Sequence, residues 1–170
     1  MRRYKKEITD PAAIRELLNT AQVGRLGTVR ADGSPMIKPL NFVYEEGRIY
    51  FHTALAGEKM EDIRRDGRVV FEVDQPIAYA RGGPDPCSAK SLYKSVIIKG
   101  RASVCEDREE KLHALKCLME KFEPEGGYGD FSEEKLAITG VVRIDILEMT
   151  GKEDVTLFDI PAHLYYESPV

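Results

Sequence analysis

The chain has 170 residues, 42% of them hydrophobic, a formal net charge of -4 and a pI near 5.5. That length and apolar content suit one compact domain with its own core, and the acidic balance argues against a nucleic-acid surface, leaving Lys90, Lys94, Lys99 and Arg101 as a solvated basic strand face. No run approaches the ~20 apolar residues of a membrane span, the charged start Met1-Arg2-Arg3 has no apolar segment behind it, and three cysteines without Cys-x-x-Cys spacing fit free thiols, so a cytoplasmic protein without a membrane partner is expected.

Thr9-Asp10-Pro11 offers a cap followed by proline at the first helical position, and Ile14, Leu17, Leu18 and Ala21 then recur at helical spacing. Strands are predicted over residues 23–29, 36–44 and 48–52, separated by the turn Ala31-Asp32-Gly33-Ser34 and the turn Glu45-Glu46-Gly47. A short helix over 57–65 leads into a strand over 68–73. Between 75 and 89 the glycine and proline density (Arg81-Gly82-Gly83-Pro84-Asp85-Pro86) predicts a mobile loop, and 93–104 returns to β-branched strand composition. The clearest helix runs over 106–122, with Leu112, Leu115, Leu118, Met119 and Phe122 in one stripe and acidic residues in its first turns; after a breaker at 124–129, residues 137–147 complete the sheet. The whole reads as mainly β, an antiparallel barrel with flanking helices.

The chemistry concentrates between Pro35 and Ile63. Lys59 falls in the first turn of a helix, where a cation joins amides already aimed at an anion, and Thr53 adds a hydroxyl while Ala54 and Gly57 let backbone come close to a ligand. Lys38, Pro39, Leu40 and Asn41 form one strand, in which asparagine is a poor strand former unless its amide has a partner; an edge strand blocked by proline is the alternative. His52 can serve as a proton donor near neutrality or as a packing residue. His113 and Cys117 are four apart on a helix, a spacing open to two metal ligands, but no third ligand accompanies them and no metal is expected. No Gly-x-Gly-x-x-Gly and no nucleophile elbow is present, so neither a Rossmann site nor a serine hydrolase fits.

The order Pro-Met-Ile-Lys-Pro-Leu-Asn, then Tyr50-Phe51-His52-Thr53-Ala54-Leu55 and Gly57-Glu58-Lys59, with Pro86-Cys87, Tyr93-Lys94-Ser95-Val96-Ile97 and Glu148-Met149-Thr150-Gly151-Lys152, resembles the pyridoxamine 5'-phosphate oxidase-like split barrels that bind flavin mononucleotide (FMN), in particular their nitroimidazole-resistance branch. The resemblance covers residues 1–152 and leaves 153–170, with Phe158, Tyr165 and Tyr166, as a tail of unknown role. It implies a six-stranded antiparallel split β-barrel acting as a homodimer, with FMN at the interface. Lys59 and Thr53 would hold the phosphate, with Lys38, Pro39, Leu40, Asn41, His52, Ala54 and more weakly Ser95 and Val96 at the cofactor and Cys87 at the pocket rim. It further implies an oxidoreductase in which His52 assists catalysis on a small oxidised substrate such as a nitroaromatic, fed by a diffusing donor such as NAD(P)H. A flavin-binding store or sensor, and a barrel using haem or a deazaflavin, stand as alternatives. Glu58, where the vitamin oxidases carry a basic residue, puts pyridoxamine phosphate as substrate in doubt.

Overall fold

The structure, a computed structural model, describes residues 4–155; the tail residues Phe158, Tyr165 and Tyr166 lie outside them. Its elements are β1 (Glu7–Ile8), α1 (Pro11–Thr20), β2 (Val23–Val29), β3 (Pro35–Asn41), β4 (Val43–Glu45), β5 (Arg48–Ala54), α2 (Glu58–Arg65), β6 (Arg68–Ala80), β7 (Lys90–Val104), α3 (Arg108–Phe122), α4 (Glu133–Ile138) and β8 (Thr139–Asp154). All strand pairings are antiparallel, in the order β3-β2-β6-β7-β8-β5-β4, with β1 added to β8.

The two ends of that ladder, β3 and β4, are consecutive in the chain and joined by Phe42 alone. Phe42 is fully buried and meets the Phe71 ring edge-on, with centroids 5.0 Å apart. One cluster unites Leu26, Phe42, Phe51, Phe71, Val73, Ile98 and Ile144 with Leu17 and Leu18 of α1 and Met60 and Ile63 of α2. Strands from both ends of the ladder thus share one interior, and the sheet is curled into a barrel. A second cluster, with Val43, Tyr50, Cys105 and Val141 from the strands and Ala114, Leu115, Cys117, Leu118 and Leu136 from α3 and α4, lies on the opposite face of β5.

The mainly β barrel with flanking helices is as expected, but it has eight strands rather than six. The strand expected over 36–44 breaks at Phe42, because that side chain turns into the core and ends one ladder before the next begins. β6 runs on through Gln75 and Pro76, a register shift between Pro76 and Ala78 accommodating the proline within the pairing. β8 continues to Asp154, two residues past the expected domain boundary, and is preceded by α4, which was not foreseen; Ser132 caps α4 at the Lys135 amide. Among the described residues no helix is long and apolar enough to cross a membrane.

Candidate functional site

α2 begins directly after β5, and its cap position is Gly57, with φ of 114° and no side-chain cap bond. In α1 and α3 an aspartate fills that role: Asp10 accepts from Ala12 N at 2.8 Å and Asp107 from Glu110 N at 2.8 Å. At α2 the Gly57 carbonyl accepts from Met60 and Glu61, leaving the Glu58 and Lys59 amides for a ligand. Nothing would lie within 4 Å of a Cβ at Gly57, so the approach is open, and a positive φ makes glycine the natural residue there. The helix is fixed from below by a buried carboxylate: Asp62 accepts from Thr28 Oγ1 at 3.0 Å and from Arg65 at 2.9 Å, and Arg65 also donates to the Val29 carbonyl.

Lys59 is half-buried, its Nζ 5.1 Å from the centroid of the buried Phe51 ring. Burial first, and the neighbouring Lys38 ammonium second, hold it below the ordinary lysine range. Among the described residues Lys59 has no carboxylate partner, whereas Lys38 pairs with Glu58 at 3.3 Å and Arg30 with Glu58 at 2.8 Å. Three cations and one carboxylate therefore meet at the open end of α2, and among the described residues Lys59 is the one of the three without a carboxylate partner. Thr53 lies two residues beyond Phe51 on the same face of β5 and is half-buried, four residues before Gly57. Free amides, an unpaired ammonium and a hydroxyl together fit a phosphate group.

His52 points the other way. It shares its face of β5 with Tyr50 and opens into a cleft of about 410 Å³ between β5 and the second cluster, walled by Leu115, Leu118, Met119, Phe122 and Phe131, with Asn41, Lys135 and Thr139 as polar groups. α4 is held over this cleft by ion pairing of Arg108 with Glu133 and donation from Lys111 to the Leu136 carbonyl. The Asn41 amide donates to the Gln22 carbonyl at 3.0 Å, so the asparagine does have its partner, within the chain. Leu40 is half-buried against the core, and Pro39 is exposed on β3, which pairs with β2 alone. Ala54 is exposed at the end of β5.

Ser95 and Val96 are not brought to this place. They lie on β7 nine and eight residues before Val104, a span of roughly 26 to 30 Å at strand rise. Val96 is fully buried in the core and its backbone pairs with Val73 on one side and Gly151 on the other, so it cannot meet a ligand within its own chain. Ser95 is half-buried, its Oγ 3.5 Å from the Lys152 carbonyl. The loop expected beside the site, with the exposed Cys87, stands at this far end as well. The other two cysteines are buried, and burial, with Glu110 behind it, pushes the Cys105 thiol up to about 12.

The outer face of the sheet carries a row of partners across four strands, Ile37, Gly27, Val70 and Lys99. Ile37 is 66% exposed, Val70 45% and the neighbouring Leu147 71%; with the bare Gly27 they line a trough of about 750 Å³. Its rim is charged, with Arg25–Glu72 and Lys99–Glu148 pairs each at 2.9 Å.

No curated protein is similar enough to the chain to match it. Among solved structures, a 5-nitroimidazole antibiotic resistance protein from Bacteroides thetaiotaomicron is 26% identical, covers 86% of each chain and superposes with a TM-score of 0.76. A FAD-binding protein from Mesorhizobium loti is also 26% identical, over 85% of this chain and 95% of its own, with a TM-score of 0.61. The flavocytochrome Anf3 from Azotobacter vinelandii shares the fold, with a TM-score of 0.85 over 100% of this chain and 84% of its own at 17% identity. The model of the family described as pyridoxamine 5'-phosphate oxidase matches residues 10–153, nearly all of the described chain, and the chain belongs to that family.

Proposed function

We propose that this protein is an FMN-dependent oxidoreductase of the cytoplasm, acting as a homodimer on a small oxidised substrate such as a nitroaromatic. The observation that carries the reading is the half-buried, unpaired Lys59 ammonium beside the uncapped start of α2. Desolvating a cation without an anion costs stability, and such an arrangement persists where a ligand supplies the charge.

In this reading the Glu58 and Lys59 amides, Lys59 Nζ and Thr53 Oγ1 would hold the phosphate, and β3 from Lys38 to Asn41 would contact the ring system. The flavin, when bound, supplies reversible hydride and electron transfer. His52 donates a proton from its imidazole N–H to the substrate in the 410 Å³ cleft, whose apolar walls receive a planar molecule and exclude water. A diffusing reduced nicotinamide supplies the electrons, in keeping with the absence of a Gly-x-Gly-x-x-Gly segment. The trough at Ile37, Val70 and Leu147 supports the dimer, since an apolar sheet face of this kind is satisfied by a second copy. Ser95 joins the flavin only from that second copy.

The absorption spectrum of the purified protein, followed by turnover with a reduced nicotinamide and a nitroaromatic, tests the proposal. A flavin spectrum with nitro reduction is expected. A haem spectrum would replace the cofactor, and a bound flavin without turnover would make the protein a store or sensor.

A further inference from the structure

We propose that Glu45, His113 and Cys117 form a binding site for zinc or a similar borderline-soft divalent cation, separate from the flavin site. One ligand atom from each lies within 4.8 Å of the other two. Cys117 Sγ is 3.6 Å from His113 Nε2, a consequence of their i, i+4 spacing on α3. Metal–ligand lengths of about 2.3 Å for sulfur and 2.0 Å for nitrogen at a tetrahedral angle put two such ligands roughly 3.5 Å apart, so the helix already holds this pair at coordinating separation.

The third ligand comes from another element. Glu45 ends β4, opposite Arg48 across a two-residue turn in which Glu46 has φ of 46° and Gly47 of 81°. The Glu45 carboxylate is half-buried and has no ion pair with a described residue. Its oxygen lies within 4.8 Å of both other ligand atoms, and a change of glutamate rotamer can bring it into a three-ligand set.

The surroundings favour a cation. Glu46, Glu109 and Glu110 line the adjoining cleft of about 390 Å³. The arginines there are engaged, Arg48 with Asp145 at 3.4 Å and Arg143 with Glu110 at 2.8 Å. Imidazole and thiolate select zinc-like ions over magnesium or calcium, and the cleft leaves a fourth position for water. Such an ion would tie the β4–β5 hairpin to α3, whose Leu115 and Leu118 wall the His52 cleft.

The test is equilibrium dialysis of the untagged full-length protein, with its native cofactor, against zinc, followed by elemental analysis and zinc K-edge X-ray absorption, which flavin does not obscure. We expect one zinc per chain and one sulfur neighbour at about 2.3 Å. Cys117→Ser should remove the sulfur neighbour. His113→Gln, at an exposed position that leaves folding intact, should weaken retention by at least the roughly 10- to 100-fold lost with an outer partner of a metal ligand. Glu45→Gln should act in the same direction. A protein that retains no zinc, a sulfur-free coordination shell, or a sulfur neighbour that survives Cys117→Ser would overturn the proposal, as would retention unchanged by both His113→Gln and Glu45→Gln.

Discussion

His52 and Thr53 are adjacent in sequence and face opposite sides of β5, so His52 lines the α3 cleft while Thr53 shares the core-facing side with Phe51. His52→Gln is therefore expected to leave flavin retention intact while lowering nitro reduction by roughly the 10²- to 10⁴-fold of a lost general acid. Absorbance at purification and steady-state turnover check it; loss of flavin with normal turnover of the remaining holoprotein would make His52 a packing residue. The placing of Thr53 at a strand end and of Gly57 and Lys59 at the following helix start was legible in the sequence. Val96 was not, since the run Val96-Ile97-Ile98 is apolar throughout and leaves the inward phase of β7 open. Glu45 escaped notice because only the fold brings β4 beside His113 and Cys117.

At the scale of elements, α1 could be read from its capping aspartate and α3 from its apolar stripe, while strand ends could not. Pro76 looks like a stop but sits at a bulge, and Gly151 looks like a terminus but is packed so tightly that a Cβ there would lie 2.9 Å from Ile8 Cβ. α3 docks through Lys121, whose Nζ donates to the Leu18 carbonyl at 3.0 Å and stands 3.9 Å from the Phe42 ring centroid. Burial lowers this ammonium to about 8. Its folded value lies below the ~10.4 of an unfolded lysine, so the unfolded chain binds more protons between those limits and the group's contribution to stability rises with pH across them. Lys121→Met should accordingly gain most over the parent at pH 7 and lose that advantage toward pH 10, as read by urea unfolding at the two pH values. A difference independent of pH would show that Lys121 keeps an ordinary titration in the fold.

For the whole molecule, the barrel class was legible from strand number, turn chemistry and the scarcity of helices, whereas the exposed row at Ile37 and Val70 emerges only once β3, β2 and β6 are in register. Ile37→Asp combined with Leu147→Asp places charges in the trough and should convert a dimer to a monomer in sedimentation, with weaker flavin binding; a dimer that survives would move the interface elsewhere. In the proposed function the Lys59 end of α2 binds the cofactor's phosphate. Titrating FMN and riboflavin, which lacks the phosphate, into cofactor-free parent and Lys59→Ala protein tests it most directly. The parent should prefer FMN, and Lys59→Ala should reduce that preference by about 1.5 to 3 kcal/mol, tenfold or more, with little change for riboflavin. An unchanged preference in Lys59→Ala would remove Lys59 from the phosphate site, and no flavin binding by the parent would overturn the proposed cofactor.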